Sequence, residues 1–257
     1  SHNYYHAFLD NLIRLLVVKD DLIDREAVLI VDNNTIQIIS LNTIFKTLTK
    51  DSNRDVVVIN EREALLVDNL YYISHINSII TNMYDWSKAK YEDYTFDFDY
   101  MKEMRNKLVT IRSPRNDFPK RFLLSRKNIK RRSYNEEEVL NAIKDYGFEA
   151  VSPEEYSFEE QVALFNNAEF IIGGSGAAFT NLLFCKEKTK VLIITRNKSK
   201  DADFPAIAYM NGCDCHFYCA LNEPRIKSST SGFNVNIDDF MKTFHIAFDN
   251  KERQTSL

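Results

Sequence analysis

A run of apolar residues that passes directly into a glycine-rich turn constrains the fold of this chain more than any other feature. Residues 169–172 predict a buried strand, and the residues after the turn predict a helix. Gly173, Gly174 and Gly176 allow the turn to adopt positive φ and let a ligand approach the backbone closely. The first N–H groups of a helix lack carbonyl partners and carry partial positive charge. This arrangement therefore predicts a site for a phosphate or diphosphate.

The glycine spacing matches neither of two common phosphate-binding loops. A dinucleotide-binding turn reads Gly-x-Gly-x-x-Gly, and a P-loop ends in Gly-Lys-Ser or Gly-Lys-Thr. Residues 173–176 read Gly-Gly-Ser-Gly and carry no lysine, which disfavours a nucleoside-triphosphate kinase and gives no support to NAD binding. Thr180 and Asn181, one turn into the predicted helix, either hold a ligand hydroxyl or bond to local backbone.

Strand-like and helix-like segments alternate along the chain, which predicts an α/β fold whose parallel sheets are covered on both faces. Near the amino terminus, residues 3–19 have apolar side chains at helical spacing, and residues 27–31 and 55–60 predict strands. Beyond residue 118 the pattern is Rossmann-like. Its strands are predicted at 121–125, 149–152, 169–172 and 190–195, and its helices at 136–146, 158–167 and 236–248.

The length of 257 residues is compatible with one large domain or with two lobes that leave a cleft between them. We predict two Rossmann-like lobes. The first is an α/β lobe at residues 1–95, a connection follows at 96–118, a Rossmann-like nucleotide-binding lobe occupies 119–235, and a helix with a tail lies at 236–257.

The charge of the chain argues against nucleic acid as a partner. It has 33 Lys and Arg and 37 Asp and Glu, a formal net charge of -4. This balance gives no general attraction to nucleic acid or anionic lipid, so recognition of a phosphate has to be local.

No apolar stretch has the length of a membrane-spanning helix. The chain has no secretory signal peptide and begins at Ser1 without an initiator methionine, as a domain trimmed from a longer protein does.

The four cysteines, Cys185, Cys213, Cys215 and Cys219, are too few and too clustered for a secreted disulfide framework, which favours a reducing cytoplasm. The last three, with His216, are an alternative candidate for a zinc site. Their spacing fits no standard zinc motif, and cysteine at alternate positions of a strand is typical of a protein core.

A dense basic cluster at residues 125–132 follows the first strand of the second predicted lobe and contains Arg126, Lys127 and Arg132. In open α/β sheets, ligands bind at the carboxyl ends of the strands. Guanidinium groups match phosphate oxygens in a bidentate way, and the glycine turn leaves the same edge. We therefore expect both features to converge on one diphosphate. The alternative interpretation is a solvated basic loop.

Three segments resemble glycosyltransferase family 61 in their order and spacing. They are Leu-Leu-Ser-Arg-Lys-Asn-Ile-Lys-Arg-Arg at 123–132, Ser-Phe-Glu-Glu-Gln-Val-Ala-Leu-Phe at 157–165, and Ile-Ile-Gly-Gly-Ser-Gly-Ala-Ala-Phe-Thr-Asn-Leu-Leu-Phe at 171–184. The amino-terminal motif of that family is similar to Asn3-Tyr4-Tyr5-His6 with Leu9-Asp10 and Arg14. The resemblance implies a GT-B-type fold and inverting transfer of a sugar from a nucleotide-sugar donor to a glycan acceptor, as in bacterial capsular polysaccharide synthesis.

The resemblance also implies roles for individual residues. The donor diphosphate would be bound by Arg126, Lys127, Arg132, Gly174, Ser175, Gly176 and Ala177. The donor nucleoside or sugar would contact Thr180, Asn181 and Glu160. Glu160 is equally explained as half of a capping box with Ser157. Many relatives carry a histidine where this chain has Ser175, so the role of that histidine does not transfer.

For the catalytic base, the resemblance favours His6, with Asp10 one helical turn later as its orienting partner, or Asp10 itself. The alternative is that His6 only caps or packs the start of a helix. Asp97 and Asp99 form an Asp-x-Asp pattern that binds a divalent ion in other glycosyltransferases, but two exposed carboxylates explain it as well. We expect a metal-independent enzyme without a cofactor.

Two other functions stay open at this point. One is a non-catalytic module that binds a nucleotide sugar or another polyanion, which Ser175 favours. The other is a sugar epimerase of similar fold. For either function, and for a transferase, the expected location is the cytoplasm or the inner face of the membrane.

Overall fold

The structure is a computed structural model that describes residues 4–19, 22–77, 95–127, 133–196, 203–220 and 232–249. The chain divides into two compact units. Unit 1 comprises Ser1–Arg112 and Ser157–Val162, and unit 2 comprises Ser113–Tyr156 and Ala163–Leu257. Each unit has its own parallel sheet, which confirms the predicted mixed α/β class. The predicted connection at 96–118 is shared between the units, with 96–112 in unit 1.

Unit 1 begins with a π-helix at His6–Asn11 that continues as a 3-10 helix at Leu12–Val17. Its apolar side chains at helical spacing are buried, including Phe8, Leu9 and Ile13. The regular elements that follow are β1 (Leu29–Asp32), α1 (Asn33–Gln37), α2 (Ile39–Leu48), β2 (Val56–Ile59) and α3 (Phe98–Leu108).

Strands β1 and β2 pair in parallel, with Leu29 opposite Val56. Along both strands, half-buried residues alternate with exposed ones. Val56 is 41% exposed and Val58 is 38% exposed. The prediction of a sheet covered on both faces is therefore wrong for these two strands. A run of β-branched residues specifies a strand, but it does not specify the elements that will cover the strand.

Unit 2 contains a five-stranded, wholly parallel sheet with the order β4-β3-β5-β6-β7. Its elements are β3 (Arg121–Leu124), α4 (Glu136–Ile143), β4 (Glu149–Val151), α5 (Phe158–Asn166, of which the first turns group with unit 1), β5 (Phe170–Gly174), β6 (Lys190–Thr195), α6 (Asp203–Met210), β7 (Asp214–Cys219) and α7 (Ile237–Asp249). Each strand predicted for this lobe is present within two residues of its predicted ends. The Rossmann-like succession of strands and helices is thus confirmed.

The core of unit 2 lies between this sheet and helices α4 and α7. Strands β3, β5 and β6 are almost entirely buried, and α7 contributes Phe240 and Phe244, which have no exposed surface. The ring of Phe244 stacks on that of Phe170 at 5.9 Å between centroids. Gly147 ends the helical segment after α4 with φ of 81°, a left-handed conformation that glycine adopts readily. This dense apolar packing holds the strand ends in fixed positions.

Within the described residues, no helix combines the length and the apolar composition that crossing a membrane requires.

Candidate functional site

The strand order of unit 2 places a topological switch point between β3 and β5. From β3 the chain moves outward to β4, then returns to the other side of β3 as β5 and continues to β6 and β7. In open parallel sheets, ligands bind in the crevice outside the carboxyl ends of the strands at such a reversal. The residues that follow β3 and β5 are Ser125, Arg126 and Lys127 on one side and Ser175 and Gly176 on the other.

Arg126 crosses from the end of β3 to the glycine turn. Its Nη1 donates to the carbonyl oxygen of Ser175 at 2.9 Å and lies 3.4 Å from that of Gly174. Arg126 of the basic cluster and the glycine turn, which the sequence predicted to converge, therefore lie together. Arg126 is half-buried, whereas Lys127 is exposed. Arg132 lies outside the described residues.

The glycines of the turn serve a purpose that differs from the prediction. None of Gly173, Gly174 and Gly176 lies in the left-handed region, and Gly176 has an extended backbone with φ of 175°. What they provide is space for protein side chains. A Cβ on Gly174 would lie 3.0 Å from the ring of Tyr134 and 3.2 Å from Cδ of Arg126, and one on Gly176 would lie 2.6 Å from Nη1 of Arg126. The expected positive φ is wrong because β5 runs straight through Gly174.

The helix after the turn is a 3-10 helix at Ala177–Phe184, with Gly176 as its N-cap and no side chain that caps it. Ala177 is exposed at its start. The amide of Ser175 is not available to an anion, because it donates to the carbonyl oxygen of Ile194 in β6 at 2.9 Å. The backbone donors that an anion could meet therefore begin after Ser175.

Thr180 and Asn181 are buried and have almost no exposed surface. Oγ1 of Thr180 has no hydrogen-bond partner among the described residues. The structure does not place either side chain on a surface that a ligand reaches, so their proposed contact with the donor stays a prediction.

Two residues at the switch point were missed by the sequence analysis. The carboxylate of Glu136, at the start of α4, accepts hydrogen bonds from the hydroxyl of Ser125 at 2.6 Å and from the amide of Arg126 at 2.7 Å. Tyr134 packs its ring over Gly174 and stacks on Phe233. Burial, with a smaller contribution from the Glu136 carboxylate, raises the pKa of the Tyr134 hydroxyl. The only sequence signal for Glu136 was its position in the first turn of a predicted helix, where acidic residues are common.

The predicted base pair lies in unit 1. Nδ1 of His6 is 2.6 Å from Oδ2 of Asp10, so the two side chains meet across one turn of the π-helix. Asp10 is buried, and its Oδ1 has no hydrogen-bond partner in the part of the chain that the structure describes. The guanidinium of Arg14 donates to the carbonyl oxygens of Asp10 and Ile73. The structure thus brings His6 and Asp10 together, while their catalytic role stays a prediction.

Two other candidates have local structural roles. Glu160 accepts from the amide of Ser157 at 2.9 Å, and the hydroxyl of Ser157 accepts from the amide of Glu160 at 3.2 Å, which confirms the capping box. Asp97 is the N-cap of α3 and accepts from the amides of Asp99 and Tyr100. The Asp-x-Asp pattern is thereby accounted for as a helix start.

The cysteine-rich strand β7 does not form the alternative zinc site within the described residues. None of the four cysteines forms a disulfide, and no group of three or more His, Cys, Asp and Glu side chains there is placed to hold a metal ion. His216 pairs with Asp214 at 2.9 Å. Burial raises the pKa of the half-buried Cys215 thiol to about 12, so this side chain keeps its proton at neutral pH.

The strand order and the residues at the switch point define an α/β protein with a candidate anion site of the kind that nucleotide-binding folds use. The family model described as Glycosyltransferase 61 matches residues 4–192, which is well over half of the 257 residues. The chain therefore belongs to glycosyltransferase family 61, as its motifs predicted. Membership of this family makes it a glycosyltransferase, whose substrates are a sugar donor and an acceptor. No curated protein matches the chain.

Proposed function

We propose that this protein is an inverting glycosyltransferase that moves a sugar from a nucleotide-sugar donor to a hydroxyl of a glycan acceptor. The observation that carries the proposal is the guanidinium of Arg126 fixed on the carbonyl oxygens of Gly174 and Ser175, at the switch point of a parallel sheet. A fixed cation at this position suits the diphosphate of a nucleotide sugar, because ligands of such sheets bind there.

In the proposed reaction, the acceptor oxygen forms a bond with the anomeric carbon while the bond from that carbon to the diphosphate oxygen breaks. Negative charge develops on the departing nucleoside diphosphate. Arg126 is a preorganised positive group that stabilises this charge without having to reorient during the reaction. The glycine turn contributes by leaving space for the guanidinium beside Gly176.

The acceptor hydroxyl has to lose a proton, and we assign that proton to His6. A carboxylate can only accept a hydrogen bond, so the 2.6 Å contact with Asp10 keeps the proton of a neutral His6 ring on Nδ1. Nε2 then carries the lone pair that a general base needs. Asp10 is the orienting residue in this scheme. His6 lies in unit 1 and Arg126 in unit 2.

We further propose that the reaction needs no metal ion and serves the synthesis of a bacterial surface polysaccharide. Arg126 supplies a positive charge at the site, and the side chain of Asp97 already caps α3. A reducing compartment, either the cytoplasm or the inner face of the membrane, agrees with four cysteines that form no disulfide.

The proposal is tested by incubating the protein with a panel of nucleotide sugars and glycan acceptors and by following release of nucleoside diphosphate. Nuclear magnetic resonance of the product should show the anomeric configuration opposite to that of the donor. Arg126→Ala should lower turnover by about a hundredfold or more, in the range of other lost electrostatic donors. The matched control is Arg112→Ala, which removes an exposed arginine and should leave turnover unchanged.

A non-catalytic module that binds a nucleotide sugar is the second candidate, because this chain has Ser175 where the family resemblance implies a histidine. Such a module would bind nucleoside diphosphates but release none from any donor, even after long incubation.

Full transferase activity in the presence of a chelator would support the metal-independent reaction. Loss of activity that added divalent ions restore would contradict it.

A further inference from the structure

We propose that Glu136 is a positioning residue that holds Arg126 against the glycine turn and thereby decides where the donor diphosphate binds. This inference rests on the proposed function, since it concerns the same site. It assigns a role to a carboxylate that lies where the proposed ligand is itself an anion. A negative side chain at that position requires a physical reason.

The carboxylate of Glu136 organises three successive residues at the end of β3. Oε1 accepts from the hydroxyl of Ser125 at 2.6 Å, and Oε2 accepts from the amide of Arg126 at 2.7 Å. The hydroxyl oxygen of Ser125 in turn accepts from the amide of Lys127 at 3.2 Å. Hydrogen bonds to an ionised group are stronger than those between neutral groups, so this segment is firmly fixed.

The other end of Arg126 is fixed as well. Nη1 donates to the carbonyl oxygen of Ser175 at 2.9 Å, and the missing side chain of Gly176 leaves the space in which Nη1 lies. Arg126 is therefore held at its backbone by Glu136 and at its guanidinium by the turn. A long side chain loses conformational freedom when it binds a ligand, and a side chain that is fixed beforehand loses less. The backbone contact therefore increases the strength with which Arg126 binds an anion.

The contact also excludes a competing position for the ligand. The hydroxyl of Ser125 and the amide of Arg126 are donors at the end of a parallel strand, where a phosphate often binds. In this protein both donate to Glu136. An anion at the switch point is consequently directed to the guanidinium of Arg126 and away from the strand end.

The direction in which one substitution changes the affinity for the nucleotide separates positioning from simple repulsion. If Glu136 only repelled the diphosphate, its removal would strengthen binding. If it positions Arg126, its removal weakens binding. The experiment measures the dissociation constants of UDP, GDP, ADP and CDP by calorimetry and continues with whichever of them binds most tightly. We expect Glu136→Ala to weaken that nucleotide about tenfold, the loss of one charge-assisted contact.

Glu137→Ala is the matched control. Glu137 is the next residue in the first turn of α4, carries the same charge and is exposed. Its removal changes the net charge and the electrostatics of the helix start in the same way, but it breaks no contact with β3. The dissociation constant of the Glu137→Ala protein for the chosen nucleotide should stay within about twofold of the wild-type value.

A double-mutant cycle distinguishes action through Arg126 from a general structural role. In an Arg126→Ala background, Glu136→Ala should weaken binding no further, because the residue through which it acts is already absent. Two losses that multiply would contradict the proposal, as would a Glu136→Ala protein that binds like the Glu137→Ala control. Glu136→Gln retains the shape without the charge. Its amide oxygen can still accept from the amide of Arg126, but its NH2 group can only donate to the hydroxyl oxygen of Ser125, so this variant should recover part of the affinity. It also carries the cycle if Glu136→Ala does not fold.

The same measurements separate failure of this inference from failure of the proposed function. Wild-type protein that binds none of the four nucleotides, or Arg126→Ala that binds like wild type, would overturn the diphosphate site and this inference with it. A strong loss for Arg126→Ala with no loss for Glu136→Ala would overturn this inference alone.

Discussion

The sheets of the two units are built from similar strands and differ in how far those strands are buried. Strand β2 reads Val-Val-Val-Ile and β6 contains Val-Leu-Ile-Ile, and both lie in parallel sheets. In β6 these four side chains are at most 1% exposed, whereas Val56 and Val58 of β2 are about two-fifths exposed. Strand β6 lies between β5 and β7 and packs against α7, while β2 pairs with β1 alone among the described residues.

This difference teaches that burial is a property of a strand's neighbours and not of its residues. A β-branched run forms a strand in both units, since its side chains fit a pleated surface. Only in unit 2 do flanking strands and a covering helix remove those side chains from water. The well-packed sheet of unit 2 also carries the switch point, so the candidate anion site rests on the more rigid of the two frameworks.

The comparison is tested most directly by the same substitution in both sheets. Val191→Ala in β6 removes two fully buried methyl groups and should lower the free energy of unfolding by about 2 kcal/mol, from lost burial and the cavity left behind. Val58→Ala in β2 should lower it by about 0.5 kcal/mol, because much of that side chain is already in water. Chemical denaturation followed by circular dichroism measures both. Equal losses would mean that β2 is covered in solution.

A smaller effect is expected from adding a methyl group at two glycines of the turn. Gly173→Ala places a Cβ 2.8 Å from Cβ of Leu124. The Cβ of Leu124 is bonded directly to the backbone of Leu124, so it cannot move away. Overpacking then outweighs the gain from a less flexible unfolded chain, and stability should fall by about 1 kcal/mol.

Gly176→Ala places its Cβ against Nη1 of Arg126, the far end of a flexible side chain. Stability should therefore stay within about 0.5 kcal/mol of the wild type. Binding of a nucleoside diphosphate should nevertheless weaken, because the guanidinium is displaced. Calorimetry measures the binding of the nucleotide, and chemical denaturation measures the stability of the protein. A Gly176→Ala protein that binds as the wild type does would show that the guanidinium position is unimportant.

The smallest effect that we expect concerns the chemical reactivity of the cysteines. All four lie in unit 2, so their labelling reports on that unit alone. Burial raises the pKa of Cys215 to about 12, so at pH 8 little thiolate is present and iodoacetamide should label this residue slowly. In guanidinium chloride the pKa returns to about 8.5 and labelling should become fast. Mass spectrometry of digested protein measures both rates.

The same pKa shift predicts that stability decreases as the pH rises above about 8.5. The folded thiol keeps its proton up to about pH 12, whereas the unfolded thiol loses it above about pH 8.5. The contribution of Cys215 to stability is thus fully present below about pH 8.5 and decreases above it. Rapid labelling of native Cys215 at pH 8 would contradict the raised pKa of this thiol.

Contacts within a few residues were predictable from the sequence. The capping box of Ser157 and Glu160 and the pairing of His6 with Asp10 are set by helical spacing, which brings residues three or four positions apart onto one face. The order of strands and helices in unit 2 was predictable for a similar reason, because the spacing of apolar residues within each segment differs between a strand and a helix.

Contacts between distant residues were predictable only in outline. Arg126 and Ser175 were expected at the same sheet edge, but their direct contact depends on β3 lying beside β5. The use of the glycines as space for Arg126 and Tyr134 was not predictable, since spacing does not reveal which side chain will fill a gap. The carboxylate of Glu136 at the strand end was missed for the same reason.

The family, the α/β class and the succession of elements in unit 2 can be recognised from the chain alone, because motifs and hydrophobic periodicity are local and need no partner. The folded arrangement is needed to know which strands are buried, which donors at the switch point already have an acceptor, and where the guanidinium of Arg126 is held. Burial and hydrogen-bond partners are set by residues far apart in the chain, which become neighbours only when the sheet has formed.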